Sequence, residues 1–128
     1  MFTPNVLAHG GRFYLYYTAV PEPFDVPWTS GKTPTAIGVA VAEAPDGPWQ
    51  RFEGNPVLER SAVADEFDSF RVDDAALVVR GGKIWLYYKG RSLIHGASGP
   101  GKTQMGVAIA ASPTGPFVKQ AANPLHPG

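Results

Sequence analysis

The sequence predicts an all-β fold built of β-propeller blades, and three observations carry that reading. A hairpin-shaped run occurs twice, the small-residue strand and tight turn that follow it occur twice, and Gly and Pro (15 and 13 of 128 residues) are spread along the whole chain. The first run, Leu7-Ala8-His9-Gly10-Gly11-Arg12-Phe13-Tyr14-Leu15-Tyr16-Tyr17, returns 71 residues later as Val78-Val79-Arg80-Gly81-Gly82-Lys83-Ile84-Trp85-Leu86-Tyr87-Tyr88. The second, Ile37-Gly38-Val39-Ala40-Val41-Ala42 with Pro45-Asp46-Gly47-Pro48-Trp49, returns 68 residues later as Met105-Gly106-Val107-Ala108-Ile109-Ala110 with Pro113-Thr114-Gly115-Pro116-Phe117. The difference between the two offsets falls in the intervening loops, Ala19 to Pro34 and Gly90 to Lys102, where length varies most easily.

Taken in order, each unit reads as four strands. A short apolar strand ends at a Gly-Gly pair, the residue type that a two-residue hairpin turn with positive φ favours. An aromatic-rich strand and a long loop come next. In the third strand Gly38, Ala40 and Ala42 alternate with Ile37, Val39 and Val41. Strand side chains alternate between faces, so one face is small enough for a neighbouring sheet to approach. A Pro-x-Gly-Pro turn then leads into a short edge strand. Four-stranded sheets repeated radially are propeller blades, and this unit exceeds the usual blade repeat of roughly 40 to 50 residues because of its loops. The units are placed at residues 1–68 and 69–128.

A closed propeller takes roughly four to eight blades, so two blades leave strand edges and sheet faces uncovered. The expectation is therefore a piece of a longer chain or a homo-oligomer that completes the ring, although two blades per chain give only even totals. Met1 falls almost directly on a strand and Leu125-His126-Pro127-Gly128 stops in mid-loop, which favours the first.

Bulk chemistry narrows the functional class. Eleven basic and eleven acidic residues give a formal net charge of zero, so neither nucleic acid nor an anionic membrane is an expected partner. Cysteine is absent, which excludes a disulfide framework and thiol chemistry. Met1-Phe2-Thr3-Pro4-Asn5 lacks the basic and apolar regions of an export signal, and no apolar run nears the roughly 20 residues that span a bilayer. A soluble chain is expected.

Ser69-Phe70-Arg71-Val72-Asp73-Asp74-Ala75-Ala76, with Lys83-Ile84-Trp85-Leu86-Tyr87-Tyr88-Lys89-Gly90-Arg91 and Met105-Gly106-Val107-Ala108-Ile109-Ala110, resembles glycoside hydrolase family 117, the marine 3,6-anhydro-L-galactosidase family related to family 43. Phe2-Thr3-Pro4-Asn5-Val6-Leu7 and Asn123-Pro124-Leu125 extend the likeness over nearly the whole chain. The resemblance implies a five-bladed propeller that hydrolyses a terminal glycosidic bond of algal galactan (agar) oligosaccharides with inversion. Inversion requires a base that activates water on one face of the sugar and an acid on the other. The resemblance further implies that Asp73 is the catalytic carboxylate in this chain and that the base lies on a blade before Met1. It places the acid histidine shortly after the Asn-Pro loop, at His126 or beyond Gly128. Its expected substrate contacts are Arg71, Asp74, Lys89, Arg91, Trp28, Thr3, Asn5 and Gln104. An oligosaccharide is the expected ligand, and neither a cofactor nor a metal is expected. The competing reading is a non-catalytic carbohydrate-binding or self-assembling propeller module.

Asp73 and Asp74 are adjacent in an extended segment, so their side chains should point in opposite directions, with Asp73 toward the funnel. They could equally be carboxylates that cap local backbone amides. Basic residues at strand ends are commonly solvated, and the alternative is that Arg71, Lys89 and Arg91 hold the carboxylate ionised and contact sugar hydroxyls. Phe13, Tyr14, Tyr16, Tyr17, Trp85, Tyr87 and Tyr88 are read as blade core, while Phe24 and Trp28 in the first long loop are the candidates for stacking on a sugar. Asp65, Glu66 and Asp68 read as a solvated connection.

Gly96-Ala97-Ser98-Gly99-Pro100-Gly101-Lys102-Thr103 satisfies a phosphate-loop pattern, which requires a helix after it. Gly106 and Pro113 oppose that helix, and Gly31-Lys32-Thr33 sits at the corresponding place in the first unit ahead of a strand-like segment, so nucleotide binding is not expected. His9, His95 and His126 are too widely spaced for a metal motif.

Overall fold

The computed structural model describes residues 2–19, 35–63, 66–92 and 103–125, with the side chains of residues 2–4 excepted. The described residues form eight strands and no helix: β1 (Phe2–His9), β2 (Arg12–Ala19), β3 (Ala36–Ala42), β4 (Gln50–Arg51), β5 (Arg71–Arg80), β6 (Lys83–Arg91), β7 (Gln104–Ala110) and β8 (Val118–Lys119). They make two antiparallel sheets, ordered β1-β2-β3-β4 and β5-β6-β7-β8. The all-β, two-blade reading of the sequence is thus the fold observed. The strand β7 directly follows Thr103, so the helix that a phosphate loop demands is not there.

Each hairpin turn is set by its glycine pair. Gly10 and Gly11 have φ of 59° and 81°, and Gly81 and Gly82 have 60° and 75°, the left-handed values that side chains with a Cβ resist. The duplication also reaches features that no strand pattern announces. Both inner strands carry a register irregularity at the same place, between Phe2 and Asn5 in β1 and between Asp73 and Ala76 in β5. Cis peptides recur at Gly47-Pro48 and Gly115-Pro116, and at Asn55-Pro56 and Asn123-Pro124.

The Asn-Pro segments close each sheet by side-chain pairing. Asn55 Oδ1 accepts from Val39 N at 3.0 Å, while its Nδ2 donates to Val39 O at 3.0 Å and to the Tyr17 hydroxyl at 3.1 Å. Asn123 repeats this with Val107 N and O, both at 3.0 Å, and with Tyr88. One amide side chain thereby satisfies the Val39 and Val107 amides, which lie beyond the two-residue strands β4 and β8, and shares their carbonyls with Phe52 N at 3.0 Å and Gln120 N at 3.1 Å.

The small face of β7 lies against the neighbouring sheet, with Ala108 in the core between the two, and at the glycines of β3 and β7 the space goes to aromatic rings. A Cβ on Gly38 would stand 2.9 Å from the Tyr17 ring, and one on Gly106 would meet Phe67 at 2.5 Å and Tyr88 at 2.9 Å. Phe67 in turn stacks on Tyr88 with centroids 5.8 Å apart.

The core lies between the sheets. Tyr16, Ile37, Val39 and Leu58 of the first pack against Val72, Ala75, Leu86, Tyr88 and Ala108 of the second. Fully burying each large apolar side chain contributes about 1.5–3 kcal/mol. Hydrogen bonds between described residues cross the same interface: Tyr16 OH donates to Pro113 O at 2.5 Å, Thr35 Oγ1 donates to Val72 O at 2.9 Å, and Asp74 N donates to Thr18 Oγ1 at 3.2 Å. Tyr16 also meets Phe117 edge-on at 6.5 Å. Burial pushes the Tyr16 and Tyr88 hydroxyls well above the usual phenol range, so both stay protonated donors. Of the aromatics read chiefly as blade core, Tyr16 and Tyr88 are fully buried and Tyr14 packs against the same core. Trp85 is half-buried near the hairpin turn, donating to Arg80 O at 3.2 Å beneath the Arg80 guanidinium.

The acidic stretch before β5 is not the solvated connection that its composition suggests. Asp68 is buried, accepts from the Tyr88 hydroxyl at 2.9 Å and pairs with Lys119 at 2.8 Å. A buried carboxylate is tolerable only with such partners. Glu66 does accept the Ser61 hydroxyl at the surface, and Asp65 lies outside the described residues.

Removing the amide clip tests this description. Asn55→Ala and Asn123→Ala should each lower the free energy of unfolding by about 1–3 kcal/mol, the cost of leaving a buried backbone amide unpaired. Urea denaturation measures it, and an unchanged midpoint in both variants would show that water replaces the clip at no cost.

Candidate functional site

The strand registers bring one end of each sheet together with the two long connections. Asp73 stands opposite Lys89, Gly90 opposite Gln104, and Ala19 opposite Ala36, so the start of β5 lies where the β2–β3 and β6–β7 connections leave. A strand interrupted at this point can present side chains that a regular ladder would hide.

β5 is interrupted there. Asp74 has φ of 54°, the left-handed region that aspartate enters more readily than most residues, and the ladder shifts between Asp73 and Ala76. Thr18 of the first sheet accepts the Asp74 amide, tying the distortion to the neighbouring blade. Strict alternation applies only to an unbroken strand, so opposite orientation of the two carboxylates does not follow from strand geometry here. Instead they fall in one charged cluster. Arg71 Nη2 lies 3.1 Å from Asp73 Oδ2, and Lys89 Nζ pairs with Asp74 Oδ2. Arg71 and Asp73 have side chains only 15% and 17% exposed, so their pairing is largely removed from solvent screening.

Burial pushes the Asp73 carboxyl above its ordinary value of 3.8. Arg71 pulls it down, Asp74 pushes it up, Lys89 pulls it down, and burial wins. The Lys89 ammonium is held above its usual value, chiefly by its hydrogen bond to Asp74. Arg71 Nε is the one buried side-chain nitrogen or oxygen without a hydrogen-bond partner among the described residues. The cluster thus combines a half-desolvated carboxylate of raised proton affinity with a guanidinium that retains an unused donor.

The remaining sequence candidates divide clearly. Arg91 sits opposite Arg71 and its carbonyl accepts from Phe70 N at 2.8 Å. Gln104 begins β7 at the same end and is half-buried. Asn5 closes the matching irregularity in β1, opposite Tyr16. Thr3 lies within that irregularity, and its side chain, with Phe24, Trp28, His95 and His126, is outside the described residues. Sequence reasoning missed Thr18, whose only signal was its place as the counterpart of Lys89 in the repeat. A cleft of about 1010 Å³ lined by Arg12, Tyr14, Gln50, Phe52 and Thr114 lies at the opposite, hairpin end of the sheets.

No family model matches the sequence, and no curated protein does. Solved structures do match. A family 117 glycoside hydrolase of the marine bacterium Zobellia galactanivorans superposes on 95% of this chain with a TM-score of 0.75 and 34% identity. The chain is family 117-like. RS223 β-xylosidase matches 96% of the chain with a TM-score of 0.71, and a family 43 enzyme from Xanthomonas citri complexed with xylose matches 96% with a TM-score of 0.66. Both are 19% identical to it, a level at which the likeness is one of fold. The chain covers 32% of the first structure, 36% of the second and 32% of the third, so it spans about a third of the glycoside hydrolases it resembles. Its two sheets account for about two blades of such a propeller.

In this family 117-like pair of blades, the charges around Asp73 make a titration test. The Asp73 carboxyl should titrate above an exposed aspartate, Asp74→Asn should lower its pKa, and Arg71→Gln should raise it, read by carboxyl-carbon NMR. A folded value raised above the unfolded one stabilises the fold fully below the unfolded pKa, and that contribution fades as pH rises through the folded value. An Asp73 pKa insensitive to both substitutions would show that the cluster is not electrostatically coupled.

Proposed function

We propose that the chain is part of a glycoside hydrolase of the 3,6-anhydro-L-galactosidase type that acts on agar oligosaccharides, and that it has no hydrolytic activity alone. The observation that carries this reading is the charged cluster at the interrupted start of β5, seen in a fold shared with glycoside hydrolases. Inverting hydrolysis places a base and an acid on opposite sides of the sugar, with room for water between them. One strand end cannot span that distance, so the reaction needs groups from other blades.

Asp73 is then the carboxylate this pair of blades contributes. Its raised proton affinity and its Arg71 partner suit a group that orients the sugar and tunes the protonation of a catalytic neighbour. The base would come from another blade, and the acid from His126 or from a residue of the complete protein. Arg71 Nε is a donor in search of an acceptor, and a sugar hydroxyl is one. Asp74, Lys89, Arg91 and Gln104 are the further polar contacts from this face, with Thr3, Asn5 and Trp28 from the first blade and its loop.

The test is made on a polypeptide that carries this chain together with the remaining blades. Neoagaro-oligosaccharides should be hydrolysed in preference to arabino- and xylo-oligosaccharides. Asp73→Asn should lower kcat by about 10²–10⁴-fold, the usual contribution of a positioned acid–base group, with little change in Tm. Hydrolysis of pentose oligosaccharides alone would overturn the substrate assignment. Binding of neoagaro-oligosaccharides with no hydrolysis would replace the enzyme reading by that of a carbohydrate-binding module.

A further inference from the structure

The backbone on either side of Asp73 is held by the other blade. Asp73 sits between two peptide groups, one carrying the Val72 carbonyl and the other the Asp74 N–H. Thr35 Oγ1 donates to that carbonyl at 2.9 Å, and Thr18 Oγ1 accepts from that N–H at 3.2 Å. Thr18 and Thr35 are 1% and 0% exposed, so neither hydroxyl can trade its backbone partner for water unless the blade interface opens. Thr18 lies opposite Ile37 in the ladder and Thr35 just precedes β3, so both hydroxyls come from the face of the first sheet that is turned to β5.

The ladder of β5 does not fix this stretch. It pairs Asp73 with Lys89 and resumes only at Ala76 with Tyr87, so Asp74 and Ala75 lie within the register shift. Asp74 there holds a φ of 54°, a conformation that persists in a residue with a Cβ only when its surroundings over-determine it. The ion pairs of Arg71 with Asp73 and of Lys89 with Asp74 grip the carboxylates and not the backbone that aims them. Side-chain chemistry at the two threonines matters as well. The counterpart of Thr18 in the second blade is Lys89, whose ammonium can only donate and could not accept a backbone N–H. A hydroxyl accepts at position 18 and donates at position 35.

We infer that Thr18 and Thr35 are positioning residues, a two-hydroxyl clamp on the first blade that sets the direction of the Asp73 carboxylate of the second. They act through the peptide groups on either side of Asp73, and so pass the seating of one blade on the other to the charged cluster. With the clamp closed, Asp73 stays half-buried beside Arg71. With either hydroxyl gone, the irregular stretch relaxes toward water, and Asp73 loses the burial that is the largest influence on its proton affinity. The consequence for a reaction rate rests on the reading of Asp73 as the carboxylate these blades contribute to a glycosidase site, whereas the clamp itself does not.

Carboxyl-carbon NMR on the chain and its variants tests the clamp without any sugar. Arg71 and Asp74 on β5 and Lys89 on β6, the charges that face Asp73, stay in place in every variant. Thr18→Val and Thr35→Val keep the shape of the side chain and remove the hydroxyl, and each should bring the Asp73 pKa down toward 3.8. Thr18→Ser and Thr35→Ser should hold it at the unmodified value. Tyr16→Phe removes the bond to Pro113 from the same interface, and should lower the urea midpoint while leaving the Asp73 pKa where it was. In the unmodified chain the Asp74 amide should resist hydrogen exchange, a measurement that stands even where a valine variant does not fold. In the polypeptide that carries the remaining blades, Thr18→Val should lower kcat by about 10²-fold with KM little changed, the scale of a small misplacement at a reacting centre, and Thr18→Ser should restore it. An Asp73 pKa unmoved by both valine variants, an equal shift in Tyr16→Phe, or an Asp74 amide that exchanges like an exposed one would each overturn the clamp. A kcat unmoved by Thr18→Val in a polypeptide that does hydrolyse its substrate would overturn the positioning role. Shifted pKa values with no hydrolysis by that polypeptide would sink the glycosidase reading alone and uphold the clamp.

Discussion

Everything in this structure hangs on the seating of β5 against the face of the first sheet. A four-stranded meander has two faces and can bury neither by itself, so the aromatic and branched residues of β2 and β3 become a core only when a second sheet covers them. Val72 and Ala75 are small enough to lie flat on Tyr16, Ile37 and Val39. The hydrogen bonds that cross the interface then do what burial alone cannot. Hydrophobic contact is non-directional, whereas Tyr16 to Pro113, Thr35 to Val72 and Asp74 to Thr18 set the height and rotation of one sheet on the other. Removing a partner from any of them would leave a buried polar group unpaired, which costs more than the bond contributes while intact.

The same seating makes the charged cluster possible. Asp74 holds a left-handed backbone conformation that costs energy in a strand, and its amide is satisfied by a threonine on the other blade. The irregularity and the blade interface are therefore one feature, and the carboxylates emerge where the two sheets meet. The two buried-acid sites of the second blade differ in what surrounds them. Asp68 is closed in by Tyr88 and Lys119 and serves the fold, being buried among groups that all point at it. Asp73 shares its neighbourhood with a second carboxylate and with cations that only partly offset burial, so its proton affinity rises.

Much of this was legible in the residues because strand periodicity and turn chemistry are local. The Gly-Gly pairs dictate positive φ, and the alternation in β3 dictates two unlike faces, so the eight strands and their order follow from composition and repeat. The family likeness was legible for the same reason, since a motif such as Arg71-Val72-Asp73-Asp74 is contiguous. What escaped was whatever depends on residues distant in the chain. Asn55 and Asn123 look like turn residues until their amides are seen to bracket Val39 and Val107 sixteen positions away. Asp68 looked solvated because its partners, Tyr88 and Lys119, lie twenty and more residues downstream. The irregularity between Asp73 and Ala76 escaped because a bulge in a strand leaves no mark in an apolar–polar pattern, although the recurrence of one bulge at Phe2–Asn5 shows that it belongs to the repeat.

That recurrence separates what the duplication conserves from what it varies. Both blades keep the hairpin, the bulge and the amide clip, all of which serve packing. They differ at the bulge itself, where Phe2 and Thr3 stand in one blade and Asp73 and Asp74 in the other, and at the strand beside it, where Thr18 corresponds to Lys89. These are the positions at the open end of the sheets, where a side chain can change without disturbing the core. The lysine also explains why the acidic pair is tolerated in only one blade. Two adjacent carboxylates at a half-buried bulge repel each other and lose hydration. The second blade supplies Arg71 and Lys89 to offset both effects, whereas at Lys89's position the first offers only the neutral Thr18, committed to the Asp74 amide of the next blade. The repeat is thus structurally faithful and chemically asymmetric, and the asymmetry lies at the open end of the sheets.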